Sequence, residues 1–192
     1  MSAVVTMIAG LGNPDSKYER TLHNAGFWFV DALLRKFGGE FRYEKKFASE
    51  ICKTQLFGNE VWLVKPQSFM NLSGGPIRGM LDYYRLKAAQ LLVAHDEIDL
   101  PPGTVRLKLG GGHGGHNGMR DVIQHCGPDF MRLRLGVGHP GEKSRVSNYV
   151  LKKGSADVEA AVERNVDDAV AVMQVLIEDG LNAAMKKLHT KQ

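Results

Sequence analysis

The chain has 192 residues, 43% of them hydrophobic, and a formal net charge of +4. That length suits one domain with a sizeable core, and the composition is that of a globular protein, not a disordered or fibrous one. No stretch approaches about 18 unbroken apolar residues, so no membrane-spanning helix is expected.

Residues 1–6 lack a basic region followed by an apolar run, so no secretory leader is expected and the cytoplasm is the expected compartment. The two cysteines, Cys52 and Cys126, have neither redox nor metal spacing and are read as reduced packing residues. Charge is unevenly spread. Residues 101–156 carry nine Lys/Arg against three Asp/Glu, whereas residues 157–179 carry seven acids against one base. A basic third is therefore followed by an acidic helix. By itself this pattern suits solvated faces as well as a polyanion site.

Residues 4–9 form an apolar run ending in Gly10-Leu11-Gly12-Asn13-Pro14, a buried strand entering a turn. Residues 23–37 follow with Phe27, Val30, Leu33, Leu34 and Phe37 at helical spacing, stopped by Gly38-Gly39. Residues 47–57 and 60–64 read as strands joined through Gly58-Asn59, a hairpin signal. Residues 75–86 read as a helix with Pro76 in its first turn. Residues 91–95 are a second buried strand, ending at Asp96-Glu97-Ile98-Asp99. Residues 105–109 alternate apolar and basic side chains, as a half-exposed strand does. A glycine-rich loop over residues 110–118 opens a helix over 119–125, and residues 131–137 alternate again. Residues 139–147 read as a polar loop, and the segment 139–149 as either a mobile lid or a plain surface turn. A long helix over 156–177, a break at Gly180 and a short last helix complete the chain. Alternating strands and helices without repeat or linker predict one α/β domain with a twisted, largely parallel or mixed sheet between helices.

Ligands of such sheets bind where loops leave the carboxyl ends of strands. Here those ends carry Asn13 with His23-Asn24, then Asp96-Glu97, then His113, His116 and Asn117; Phe69-Met70-Asn71 adds a fourth polar segment. The glycine loop matches neither the P-loop nor the dinucleotide fingerprint. His113 and His116 have zinc-pair spacing but no evident third ligand. Beside the phosphate-cradle and metal readings, the favoured one is a close-approach loop, with backbone pressed on substrate and Asn117 offering its amide. No Gly-x-Ser-x-Gly elbow is present, so a hydrolase built here uses water as nucleophile. His23 is a general base only if an acceptor fixes its tautomer. Asp96 is chemically suited, though spacing leaves open whether the two meet.

GLGNPDSKYERTLHNAG (10–26), KPQSFMNLSG (65–74), VAHDEIDLPPG (93–103), KLGGGHGGHNG (108–118) and RLRLGVGHPG (132–141) occur in this order. Together they resemble bacterial-type peptidyl-tRNA hydrolase. The resemblance implies a single α/β domain with a twisted mixed sheet flanked by α-helices. The implied substrate is peptidyl-tRNA or N-blocked aminoacyl-tRNA, cut at the ester to the 3′ ribose, with no metal or organic cofactor. It implies His23 as base, Asp96 as its orienting carboxylate, and Asn13 as the residue separating blocked from unblocked substrates. Phe69, Asn71 and Asn117 match substrate-holding positions, with Met70 and His116 in the same groove and Tyr18 near the tRNA end. Lys108 and Arg134 resemble a clamp for the 5′ phosphate. A monomer is expected. With a polyanionic substrate, Arg106, Lys108, Arg132, Arg134, Lys143 and Arg145 become candidates for acceptor-stem phosphates. The rival readings are a non-catalytic RNA-binding module, a metal-dependent amidase or esterase using His113 and His116, and a nucleotide-binding α/β domain.

Overall fold

The computed structural model describes residues 4–190, so the first three residues of the segment examined for a leader lie outside the described residues. The apolar runs become strands β1 (Met7–Gly10), β3 (Ser49–Leu56), β4 (Asn59–Pro66), β5 (Leu91–Glu97), β6 (Val105–Leu109) and β7 (Met131–Gly136). A short exposed strand, β2 (Arg42–Glu44), carries no apolar alternation and was not expected. The helices are α1 (Ala25–Phe37), α2 (Gly74–Tyr83), α3 (Asn117–Cys126), α4 (Val146–Val150), α5 (Ala156–Asp179) and α6 (Leu181–Thr190).

The seven strands lie in the order β2-β3-β4-β1-β5-β7-β6. The inner strands β4, β1, β5 and β7 run parallel, while β2, β3 and β6 join antiparallel. This mixed sheet between helix layers is the expected α/β class. Strand alternation divides the apolar residues between two cores. Ile8 packs with α1 and α5, whereas its neighbours Met7 and Ala9 pack with α2 and α3. Most boundaries shift by one to three residues, two of them as follows. The first strand begins at Met7 instead of residue 4. The helix expected to reach residue 86 ends at Tyr83, where Arg85 turns the chain with φ 55°. The expected hairpin forms one residue earlier than Gly58-Asn59: its loop is Phe57-Gly58, left-handed at φ 50° and φ 80° as a two-residue type I′ connection needs, and Asn59 already opens β4.

The α5 helix is capped by Ser155, whose side chain accepts from the Val158 N–H, and stops at Gly180 with φ 92°. The α6 helix covers the open edge of the sheet. His189 Nε2 accepts the Leu107 N–H of β6 at 3.1 Å, so a backbone donor on that edge strand is satisfied. The segment read as a polar lid is partly helical, comprising a 3-10 turn at Lys143–Arg145 and then α4.

Candidate active site

Two glycines bring the site together. A Cβ on Gly26 would sit 2.4 Å from the Ala94 carbonyl oxygen, so only glycine lets α1 start directly against the ends of β1 and β5. That start carries His23 and Asn24, while the two strand ends lead to Asn13 and Asp96. Across the cleft, a Cβ on Gly118 would meet Met70 Sδ at 2.5 Å, so α3 begins hard against the segment carrying Phe69, Met70 and Asn71. The result is a groove of about 720 Å³.

Asp96, at 3% exposure, is the hub of the groove floor. Its Oδ2 accepts from His23 Nδ1 at 2.8 Å, and its Oδ1 accepts from His116 Nε2 at 2.8 Å. The two imidazoles lie with centroids 4.8 Å apart. Hydrogen bonding decides both tautomers. His116 Nδ1 accepts the Met119 N–H at 3.1 Å, capping α3, so its proton sits on Nε2. His23 donates from Nδ1, which leaves the Nε2 lone pair available in the groove.

Burial alone would raise the Asp96 carboxyl, but the charges and N–H donors of His23 and His116 outweigh it and hold it well below the usual carboxylate range. For His23, burial pulls the pKa down while the Asp96 charge and hydrogen bond push it up; the net position is above the ordinary imidazole value. His95 lies behind His116, edge to face at 5.2 Å, and is pushed down to about 4 by burial and then by the charge of His116.

Asn13 is held on three sides. Asn24, at 2% exposure, accepts the Asn13 N–H through Oδ1 at 2.8 Å and donates from Nδ2 to the Asn13 carbonyl at 2.9 Å. The Asn13 side chain accepts the Met70 N–H through Oδ1 at 2.9 Å. Its acceptor is thereby occupied and its Nδ2 donors remain. Asn24 was visible in the sequence only as the neighbour of His23. Its clamp across 11 residues has no local signal.

Nine of the expected catalytic and substrate-holding residues line the groove, Asn13, Tyr18, His23, Phe69, Met70, Asn71, Asp96, His116 and Asn117, and Lys143 of the phosphate candidates joins them. Phe69, at 61% exposure, stands at the mouth. Lys108 and Arg134 do not line the groove; they lie on the β6–β7 ribbon beyond the glycine loop. The Arg134 Nε donates to Glu97 at 2.8 Å, a partner the sequence did not indicate.

Arg132 corrects one expectation. It is 2% exposed, lies over the Phe130 ring, and donates to the carbonyls of Gly111, Gly112 and Pro128. It pins the glycine loop and is not available to a phosphate. Val146, Ser147, Val150 and Leu151 supply an outer wall of the groove from the region read as a lid.

The His113–His116 pair expected of a metal site does not converge, because His113 Nδ1 accepts the Gly115 N–H of its own loop at 2.9 Å. His23, Asp96 and His116 do place three potential ligand atoms within 4.8 Å of one another. A metal on His116 Nε2 would require the proton on Nδ1, where it would oppose the Met119 N–H and uncap α3. The hydrogen bonds therefore favour proton donors facing a carboxylate over a ligand set.

The peptidyl-tRNA hydrolase family model matches residues 7–192. The peptidyl-tRNA hydrolase of Halorhodospira halophila is 50% identical over 184 residues, covering 95% of this chain and 95% of that protein. That of Xanthomonas euvesicatoria is 48% identical and covers 100% of both. Among solved structures, peptidyl-tRNA hydrolase from Acinetobacter baumannii aligns with a TM-score of 0.94 at 42% identity, over 96% of this chain and 94% of that chain. A matching family model and full-length relatives, together with the groove built from the resembling segments, place this chain in the peptidyl-tRNA hydrolase family.

Proposed function

We propose that the groove hydrolyses the ester between a peptide, or an N-blocked aminoacyl group, and the 3′ ribose of tRNA, returning the tRNA to translation. The observation that carries this reading is the 2.8 Å contact of His23 Nδ1 with the buried Asp96 carboxylate, which leaves the other imidazole nitrogen free in a substrate-sized groove. His23 Nε2 takes a proton from water as that water attacks the ester carbonyl. The imidazolium then returns the proton to the departing ribose oxygen. Such a base contributes about 10²–10⁴-fold. Asp96 stabilises the imidazolium and holds its orientation; His116 holds Asp96.

The two amides divide the remaining work. With its Oδ1 occupied by Met70, Asn13 offers N–H donors, which suit the oxyanion. Those same donors repel and fail to solvate a free ammonium, which disfavours unblocked aminoacyl-tRNA. Asn71 is exposed at the groove and suits pairing with the peptide N–H. Asn117, whose Oδ1 accepts from Arg120 at 3.2 Å, and Tyr18, Phe69 and Met70 hold the substrate around them. Lys108, Arg106 and the outer nitrogens of Arg134 attract RNA phosphates without reading sequence, as an enzyme serving every tRNA requires. The protein works as a cytoplasmic monomer without metal or organic cofactor. A purely RNA-binding role would leave the His23–Asp96–His116 set, with its buried carboxylate, unused.

The test incubates the protein, with EDTA, with N-acetyl-aminoacyl-tRNA and with unblocked aminoacyl-tRNA, and repeats it with His23→Ala. Release from the blocked substrate only, reduced about 10²–10⁴-fold in the variant, is expected. Activity that survives in His23→Ala would remove His23 from the chemistry. A folded wild-type protein with no activity would leave only RNA binding.

A further inference from the structure

A second cavity of about 580 Å³ lies on the far side of Asn13 from the groove, and Asn13 lines both. Its walls are the loop after β1, α1, the ends of β3 and β4, and α5. Phe27 and Trp28 give it apolar surface. Six carboxylates and three cations line it, a balance of −3. Lys65 is committed to Asp31 at 2.8 Å and Glu50 at 3.3 Å, and Arg20 to Glu163 at 3.1 Å. Glu19 and Asp167 have no ion pair among the described residues. Asn13 is 7% exposed, and among the described residues its Nδ2 has no partner in the wall shared with the groove.

The order of the sheet places this cavity and the basic ribbon on opposite sides of Asp96 and Asn13. Lys108, Arg106 and Arg134 lie on β6 and β7 at one side; Asp96 stands at the end of β5 and Asn13 just after β1; the cavity lies toward β4 and β3. The substrate of the hydrolase reading is itself bipartite, RNA on one side of the ester and peptide on the other. A cavity of net −3 repels phosphates and attracts cations. The acidic run of α5, which the ester chemistry does not use, contributes Glu163 and Asp167 to it.

We propose that this cavity is a distal peptide subsite. It receives peptide residues beyond those next to the ester and favours lysine or arginine side chains. The proposal rests on the hydrolase reading of the groove. Selectivity at the ester itself stays with Asn13 and its neighbours, so N-acetyl-aminoacyl-tRNA, which ends short of the cavity, reports the groove alone.

The experiment compares kcat/KM for one tRNA carrying N-acetylated hexapeptides that differ only in having lysine or glutamate distal to the ester. Wild type is run beside Glu19→Lys/Asp167→Lys and beside Glu19→Gln/Asp167→Asn, both exposed positions. Wild type is expected to prefer the lysine peptide by about five-fold, a typical effect of a few exposed charges. That preference falls in the neutral variant and inverts in the lysine variant. The same lysine-to-glutamate ratio in all three proteins would overturn the subsite, since any preference would then arise from the peptide and tRNA themselves. Failure of the wild type to cleave N-acetyl-aminoacyl-tRNA would instead overturn the hydrolase reading beneath it.

Discussion

The floor of the groove and the basic face of the β6–β7 ribbon both gather charged side chains, but they hold them differently. At the floor, Asp96 is 3% exposed and both its oxygens are occupied by imidazole N–H donors at 2.8 Å. On the ribbon, Arg106, Lys108, Arg132 and Arg134 share one face opposite Leu107, Leu133 and Leu135. Arg132 is spent on loop carbonyls, Arg134 on Glu97, and Lys108 is exposed. Low dielectric and directed hydrogen bonds make each floor residue hard to replace. Water and salt screen the ribbon, so its charges act as a sum.

The sharpest way to break that contrast is Asp96→Asn. We expect kcat to fall about 10²–10⁴-fold with little change in KM. Because the Asp96 charge holds the His23 pKa above its ordinary value, its removal lowers that pKa. The acid limb of the kcat–pH profile should therefore move to lower pH. An unmoved limb with normal kcat would separate Asp96 from the base.

Asn24→Ala tests whether a residue remote from the ester belongs to the floor. It strips partners from the buried N–H and carbonyl of Asn13. We expect a loss of about 1–3 kcal/mol in stability, seen by denaturant unfolding. We also expect kcat to fall by about 10- to 100-fold as Asn13 shifts. Stability lost without any change in kcat would confine Asn24 to folding.

The smallest effect should come from the ribbon. Lys108→Gln should raise KM only a few-fold, and reduce the slope of log KM against log salt by about one phosphate contact. Arg132→Gln should leave that slope unchanged while lowering kcat, because its guanidinium holds Gly111 and Gly112 instead of RNA. Equal slope changes in the two variants would erase the distinction between pin and phosphate contact.

Much of this arrangement was legible along the chain. The helix of Phe27, Val30 and Leu33, the Gly58 hairpin and the strand ending at Asp96 follow from periodicity and turn chemistry, which act over a few residues. The strand β2 escaped because Arg42, Tyr43 and Glu44 are exposed at a sheet edge and bury no alternating face. Charge counting found the basic third but treated Arg132 like Lys108, since composition carries no information on burial. His23 and Asp96 stood out as chemically compatible residues, and the motif resemblance supplied their pairing; neither spacing nor charge did.

The sequence by itself determined the α/β class, the strand ends that carry the polar residues, and the family, because these depend on local pattern or on residues in order. The tertiary structure alone decided what each polar group is bound to. It joined Asp96 to two histidines 73 and 20 residues away, turned the Asn13 acceptor onto Met70, buried Arg132 in a loop, and opened a second cavity beside the first. The reason is physical. Secondary structure follows short-range sterics and hydrogen bonding, whereas tautomers, donor availability and pKa follow neighbours that only the packing of distant segments brings within about 3 Å.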